Sequence, residues 1–224
     1  MENQSRKDSF SMHDLINHYN MKVNFYENKR FETWHVEKEL SVVSRTLDAI
    51  LRNECYRSAL DIACHAGRYS FMLQEKGLDV IGIDTSDKAL NFAEARKRER
   101  KIHNIVFKKM DATQFSFNQT FDVVILMELL HHLPDDLAEQ VLTRAIGYLN
   151  PRGVLFFDLK NSFNPVIRYV YRKESSDLLW LRARTFAFFK KIVEKAHARI
   201  VAKQGLVTPL WQIEPFVILQ VKKK

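Results

Sequence analysis

LDIACHAGRYS, Leu60 to Ser70, is the stretch on which the fold turns. Apolar residues run up to an acid, Asp61, a tight run of small residues follows, and from Arg68 the pattern reads as helix. In a doubly wound sheet, such a strand-to-helix turn is where a nucleotide is held. The ligand lies beyond the carboxyl end of the strand, against the N–H groups of the next helix. The dinucleotide spacing GxGxxG fails here, because Ala63, His65 and Arg68 fall on its three positions. The spacing GxGxG fits better, with Asp61 just ahead of Ala63, His65 and Gly67, yet only Gly67 is glycine. Glycine serves such turns where φ is positive or a ligand approaches the backbone closely. A side chain in the left-handed region costs about 1–2 kcal/mol, and His bears it better than most. The expectation is therefore a working turn in which His65 points away from the ligand.

Outward from this turn the chain alternates. Val36, Leu40, Val43, Leu47, Ile50 and Leu51 recur at helical spacing and predict an amphipathic helix over 34–52. SALDIA (58–63), DVIGID (79–84), IVFKKMDA (105–112), FDVVILM (121–127) and GVLFFDLK (153–160) read as strands. Helices are expected over 68–76 closing at Gly77, from an N-cap at Ser86 to Lys101, and over 135–149, ended by AsnProArgGly (150–153). Unbroken apolar strands separated by helices mean a parallel sheet buried on both faces. After Lys160 the rhythm breaks: 161–184 is aromatic and basic without a clear period. Helix 185–197, capped by Thr185, and strands near 199–205 and 215–222 complete the chain, the last two as an antiparallel pair. The fold class is α/β, Rossmann-like and doubly wound: a mostly parallel seven-stranded sheet with an antiparallel C-terminal strand and an N-terminal helical cover. Residues 1–33 form the N-terminal helical or lid segment, with 1–10 read as disordered, and 34–224 form the main domain with an insertion at 161–184.

Composition narrows the function classes. The 224 residues, 46% hydrophobic and 28% charged, suit one α/β domain. Cys55 and Cys64 are too few for a disulfide scaffold or a structural zinc site, and MENQSRKDSF lacks the apolar core of a signal peptide, so a cytoplasmic setting is expected. The longest apolar-rich run, Phe121 to Leu130, is too short to span a bilayer. A net charge of +8 is compatible with acidic small molecules, an anionic membrane touched peripherally, or nucleic acid. The charge is scattered and no nucleic-acid motif accompanies it, so nucleic acid is the least favoured partner.

Five stretches in order resemble the motifs of class I S-adenosylmethionine-dependent methyltransferases, in the branch of small-molecule and quinone-biosynthesis enzymes. They are Leu60–Ser70, IleGlyIleAspThrSer (81–86), MetAspAla (110–112), Phe121–Asp136 and LeuAsnProArgGlyValLeu (149–155). Each alone is a common pattern; their order and spacing carry the resemblance. It implies S-adenosyl-L-methionine as cofactor, S-adenosyl-L-homocysteine as product, and a small-molecule acceptor methylated on oxygen or nitrogen. By the same resemblance Asp84 accepts the ribose hydroxyls, which suits an acceptor-only carboxylate. Asp111 and Ala112 meet the adenine, Asp61 faces the cofactor's ammonium, and Ala63, His65, Gly67, Thr85 and Met127 line the remainder. Set against these roles, Asp84 also suits a helix N-terminus and Asp111 a turn.

The strand-four exit, MetGluLeuLeuHisHisLeuPro (127–134), borders donor and acceptor in the family. His132, His131 and Glu128 are the catalytic candidates, since imidazole suits a base at neutral pH. Some relatives bind a divalent metal here. Glu128 and His132 match that spacing, but His131 stands where those relatives have Glu, so no metal is expected. Acceptor contacts fall to the variable parts: Tyr19 and Tyr26 with Phe31 and Trp34 in one, Arg168, Tyr169 and Arg172 with Phe163, Tyr171 and Trp180 in the other. The altered turn leaves a non-catalytic binding or regulatory relative as the first alternative, and the charge leaves an RNA methyltransferase as the second.

Overall fold

The computed structural model describes residues 34–52, 54–174, 181–206, 212 and 214–224. The expectations for residues 1–33, for Trp180 and for part of the 206–215 connection lie outside the described residues. In chain order the elements are α1 (Trp34–Leu51), β1 (Ser58–Ile62), α2 (Arg68–Glu75), β2 (Asp79–Asp84), α3 (Asp87–Glu99), β3 (Ile105–Lys109) and β4 (Phe121–Leu126). A short 3₁₀ turn (Leu130–His132) leads into α4 (Asp135–Gly147), β5 (Leu149–Lys160), α5 (Pro165–Glu174), α6 (Phe186–Lys195), β6 (Ala198–Gly205) and β7 (Phe216–Lys223).

The seven strands form one sheet in the order β3-β2-β1-β4-β5-β7-β6. β1 pairs in parallel with β2 and β4, β2 with β3, and β4 with β5; β7 alone runs antiparallel, between β5 and β6. The order reverses between β1 and β4, and this crevice is where an open α/β sheet receives its ligand. The central strands are buried on both faces, which is why their sequences are apolar without alternation. On one face Leu60, Val124, Leu155 and Phe157 pack with α4 and α6; on the other Ala59, Val123, Val154 and Phe156 pack with α1 and α2. Edge strand β6 alternates instead, with every second residue exposed or nearly so.

Local chemistry sets the helix starts. Ser86 Oγ accepts the N–H of Ala89 (3.2 Å) and Thr185 Oγ1 that of Phe188 (3.1 Å), as their N-cap readings required. Two readings are corrected. The 135–149 helix ends at Gly147, and AsnProArgGly lies within β5, not in a turn before it. Phe121 pairs with Leu149 but Val123 with Val154, so extra residues bulge out of the strand. Gly153 allows it, since a Cβ there would lie 2.8 Å from the Asp122 carbonyl oxygen. The second correction is in 161–184, where α5 forms although no period was legible. Ile167 is buried and Val170 and Tyr171 half-buried on its inner side, but Val166 and Tyr169 are about two-thirds exposed on its outer side, so the inward stripe is short and blurred in the sequence.

Candidate functional site

Three acids lie at the carboxyl ends of neighbouring strands, Asp61 on β1, Asp84 on β2 and Asp111 just beyond β3. The turn after β1 arranges them. Ala63 (φ 57°), His65 (φ 48°) and Gly67 (φ 79°) are all left-handed, the three positions of the GxGxG spacing. Alternating hand turns backbone N–H groups inward: Cys64 N–H donates to Ile83 O (2.9 Å), Gly67 N–H to Cys64 O (2.8 Å), and His65 N–H to Asp84 Oδ2 (2.8 Å). Gly67 has a second constraint, because a Cβ there would lie 2.8 Å from the Phe107 ring.

Asp84 joins the turns. Its Oδ1 accepts the Ser86 N–H (2.9 Å), the Thr85 N–H adds to its field, and its carbonyl accepts the Met110 N–H (3.0 Å). Burial raises its carboxyl above the ordinary range although these N–H groups pull the other way. Each oxygen keeps lone-pair capacity for a ligand hydroxyl. Asp61 is fully enclosed and accepts the Ser70 hydroxyl at 2.6 Å. Burial pushes its carboxyl up to about 7 against the Ser70 hydrogen bonds, with the Asp84 charge adding to the rise. Asp111 Oδ1 takes both the N–H (2.7 Å) and the hydroxyl (2.8 Å) of Thr113, so the Asp shapes its turn whatever else it does. Ala112 is half-buried beside it.

The strand-four exit adjoins this crevice. Met127 is buried and Glu128 is left-handed (φ 61°), its N–H held by Asp158 Oδ1 at 2.7 Å. His131 and His132 are both buried with ring centroids 3.9 Å apart, and the Tyr171 ring lies 6.0 Å from His131. His131 Nδ1 is 3.9 Å from Asp158 Oδ2, too far for a hydrogen bond. Arg184 fastens the turn: its guanidinium donates to Leu130 O and Leu133 O (each 2.5 Å) and to Asp135 Oδ1 (3.0 Å). Arg168, Tyr169 and Arg172 lie on the exposed side of α5, whereas Tyr171 faces the exit.

Glu39, Asp158, Lys160, Tyr69 and Arg184 were not singled out by sequence reasoning. A signal existed for three of them. Asp158 and Lys160 are two charges at alternate positions of the otherwise apolar run GVLFFDLK (153–160), and Glu39 stands four residues before Val43 on the apolar stripe of α1. Among the described residues no group of three His, Cys, Asp or Glu side chains is arranged to hold a metal ion, and no helix is long and apolar enough to cross a membrane. A groove of about 1070 Å³ runs along α4 and the segment before β4, past Thr120, Arg144 and Lys195, and is lined by none of Asp61, Asp84 or Asp111.

Residues 59–153 match the family model described as a methyltransferase domain. The chain is 33% identical over 107 residues to a ubiquinone biosynthesis O-methyltransferase of Methylococcus capsulatus, covering 47% of this chain and 44% of that one. It is 36% identical over 108 residues to a putative methyltransferase, YqeM, of Bacillus subtilis, covering 46% and 42%. The chain thus matches less than half the length of these relatives. Among solved structures, the magnesium protoporphyrin IX methyltransferase of Synechocystis with bound S-adenosylhomocysteine superposes with a TM-score of 0.71 at 18% identity, covering 85% of this chain and 84% of that one. The didemethyltoxoflavin N1-methyltransferase of Burkholderia thailandensis superposes with a TM-score of 0.72 at 16% identity, covering 94% and 88%. At these identities the likeness is one of fold.

Proposed function

We propose that this chain, whose residues 59–153 are a class I S-adenosylmethionine-dependent methyltransferase domain, moves a methyl group from S-adenosyl-L-methionine to an oxygen or nitrogen of a small-molecule acceptor. The observation that carries the reading is the left-handed sequence Ala63, His65, Gly67 with Asp61, Asp84 and Asp111 gathered round it at the strand ends. The residues fit the cofactor. Asp84 has acceptor capacity for two ribose hydroxyls, with Thr85 beside it, and Asp111 and Ala112 border the adenine. Asp61, a buried carboxyl raised by its enclosure, would be favoured in its charged form by an ammonium partner. The main-chain turn keeps its shape without two of its glycines, which weakens the alternative of a non-catalytic relative.

When bound, the sulfonium supplies an electrophilic methyl group, and S-adenosyl-L-homocysteine remains once it is transferred. The protein's own part is to align the acceptor, exclude water and receive the acceptor's proton. Glu128 and the His131–His132 pair are the proton acceptors within reach of the exit, and Tyr171 closes it from α5. An imidazole offers a ring nitrogen that can take the proton. The acceptor is a molecule with a hydroxyl or amino nucleophile small enough to enter between α1, the exit and α5.

The test is direct binding. Calorimetry with S-adenosylmethionine or S-adenosylhomocysteine should show a saturable heat, and Asp84→Ala should lose about 1.5–3 kcal/mol of affinity, the scale of hydrogen bonds to a charged group. An absence of heat up to millimolar cofactor refutes the reading. An unchanged dissociation constant in the variant removes Asp84 from the site.

A further inference from the structure

The strand-four exit holds more charge than a backbone turn needs. Asp158 and Lys160 lie two residues apart on β5 and so face the same side of the sheet, toward α1 and α2. The Lys160 ammonium contacts Asp158 Oδ2 (3.1 Å), Glu39 Oε1 (3.3 Å) and the Glu128 carboxylate, and lies over the Phe216 ring at 4.5 Å. The side chains of Glu39, Asp158 and Lys160 are at most 2% exposed; that of Glu128 is 17% exposed and so forms the side open to a ligand.

Three acids against one ammonium do not make a neutral packing unit. A buried ion pair repays its desolvation only with complete pairing, and these acids outnumber their cation. Burial pushes Glu39 up to about 8 against the pull of Lys160, and burial raises Asp158 as well. Even with Glu39 set aside, Asp158 and Glu128 remain as two acids against the one ammonium. Two further polar atoms, Glu39 Oε2 and the Tyr69 hydroxyl, are buried without a hydrogen-bond partner. Tyr69 is 7% exposed, and the charges of Glu39, Glu128 and Asp158 all act on its hydroxyl. Buried polar atoms of this kind are ordinarily completed by a ligand or an ordered water.

Asp158 and Lys160 also act together on one residue. Asp158 holds the N–H of Glu128 and so its left-handed backbone, while Lys160 holds its carboxylate. A residue strained in its backbone and clamped at both ends is placed for contact, not for packing. The His131 and His132 rings, in contact and tilted at 44° to each other, with Tyr171 beyond, give the exit an aromatic wall.

Building on the methyltransferase reading, we propose that Lys160 and Asp158 are positioning residues that fix Glu128 as the proton acceptor for a ring-borne hydroxyl or amine, and that the cluster's surplus negative charge selects acceptors neutral or cationic beside that group and turns anionic ones away. As the acceptor's oxygen or nitrogen bonds to the methyl carbon, the carbon–sulfur pair passes to sulfur and the acceptor's proton passes to the Glu128 carboxylate, so charge and atoms balance. The selection follows from Coulomb's law in a site shielded from water.

Three phenols that place different charges next to the same hydroxyl test this: ortho-hydroxybenzylamine (cationic), catechol (neutral) and salicylate (anionic). Their binding to the full chain saturated with S-adenosylhomocysteine is measured by calorimetry. The amine and catechol should bind at least tenfold tighter than salicylate. Glu128→Gln, isosteric and partly exposed, should narrow the amine-to-salicylate ratio at least tenfold with S-adenosylhomocysteine affinity unchanged. Lys160→Arg should keep the order of the three ligands. Salicylate binding as tightly as the amine, or a ratio that Glu128→Gln leaves intact, overturns the proposal. So does binding of S-adenosylhomocysteine with none of the three phenols. If S-adenosylhomocysteine itself does not bind, the methyltransferase reading fails first and this inference falls with it.

Discussion

The two halves of the crevice are built on opposite plans. On the β1–β2 side the turn is shaped by main-chain geometry: three left-handed residues, N–H groups aimed at carbonyls and at Asp84, and side chains as different as methyl and imidazole at two of the three positions. On the β4–β5 side the exit is shaped by side chains, with Lys160, Asp158 and Glu39 enclosed in the core and Glu128 held between them. A main-chain device tolerates substitution at about the cost of a strained φ. A buried charge network does not, because removing one member leaves the others desolvated and unpaired.

Breaking the second side should therefore cost most. Lys160→Met is expected to destabilise the fold by about 3–5 kcal/mol at neutral pH, the scale for a buried pair that loses one partner. Denaturant melts are the measurement, and a loss below about 1 kcal/mol would mean that the acids simply protonate and the network is not cooperative. The loss should shrink in acid, where the carboxyls no longer need a cation.

The next effect is linked to protons. Asp61 and Glu39 are raised in the fold to about 7 and about 8, above their ordinary values. A carboxyl raised on folding contributes stability that is fully present below its unfolded pKa and is lost as pH rises through its folded pKa. These two groups should thus lower the melting temperature of the ligand-free protein as pH rises from about 4 to about 8, with no further effect above that. A cation placed on Asp61 reverses the shift, so cofactor binding near pH 7 should release roughly half a proton. Calorimetry in buffers of different ionisation enthalpy reads this release; none at all would separate Asp61 from the cofactor's ammonium.

Smallest is the change on the main-chain side. His65→Gly should leave stability within about 1 kcal/mol, since relief of the left-handed strain is offset by the added freedom of the unfolded chain. Cofactor affinity should stay equal or improve. A tenfold loss, about 1.4 kcal/mol, would make the imidazole a ligand contact and erase the contrast between the two sides.

The sheet was legible because buried parallel strands leave apolar runs in the sequence, and Ser86 and Thr185 marked two helix starts through their caps. The methyltransferase resemblance and its fold were read from the ordered motifs, and both stand. α5 was not legible, because it is short and its outer face mixes the apolar Val166 and Tyr169 with Arg168 and Arg172, so the inner Ile167, Val170 and Tyr171 stand out poorly. Nor was the bulge in β5, where AsnProArgGly looks locally like a turn and only pairing with β4 makes it strand.

What the sequence determined by itself was the order of the strands and of the helices other than α5, the place of the turn at 63–67 and the three acids that end the first strands. These depend on neighbours in the chain: periodicity, caps and the small residues of a tight turn. What only the tertiary structure decided was the company of Lys160. Glu39, Glu128, Asp158 and Tyr69 come from α1, the β4 exit, β5 and α2, and no local pattern relates them. The energy of a charge depends on what surrounds it in space and how little water remains there, and for Lys160 both are set by folding.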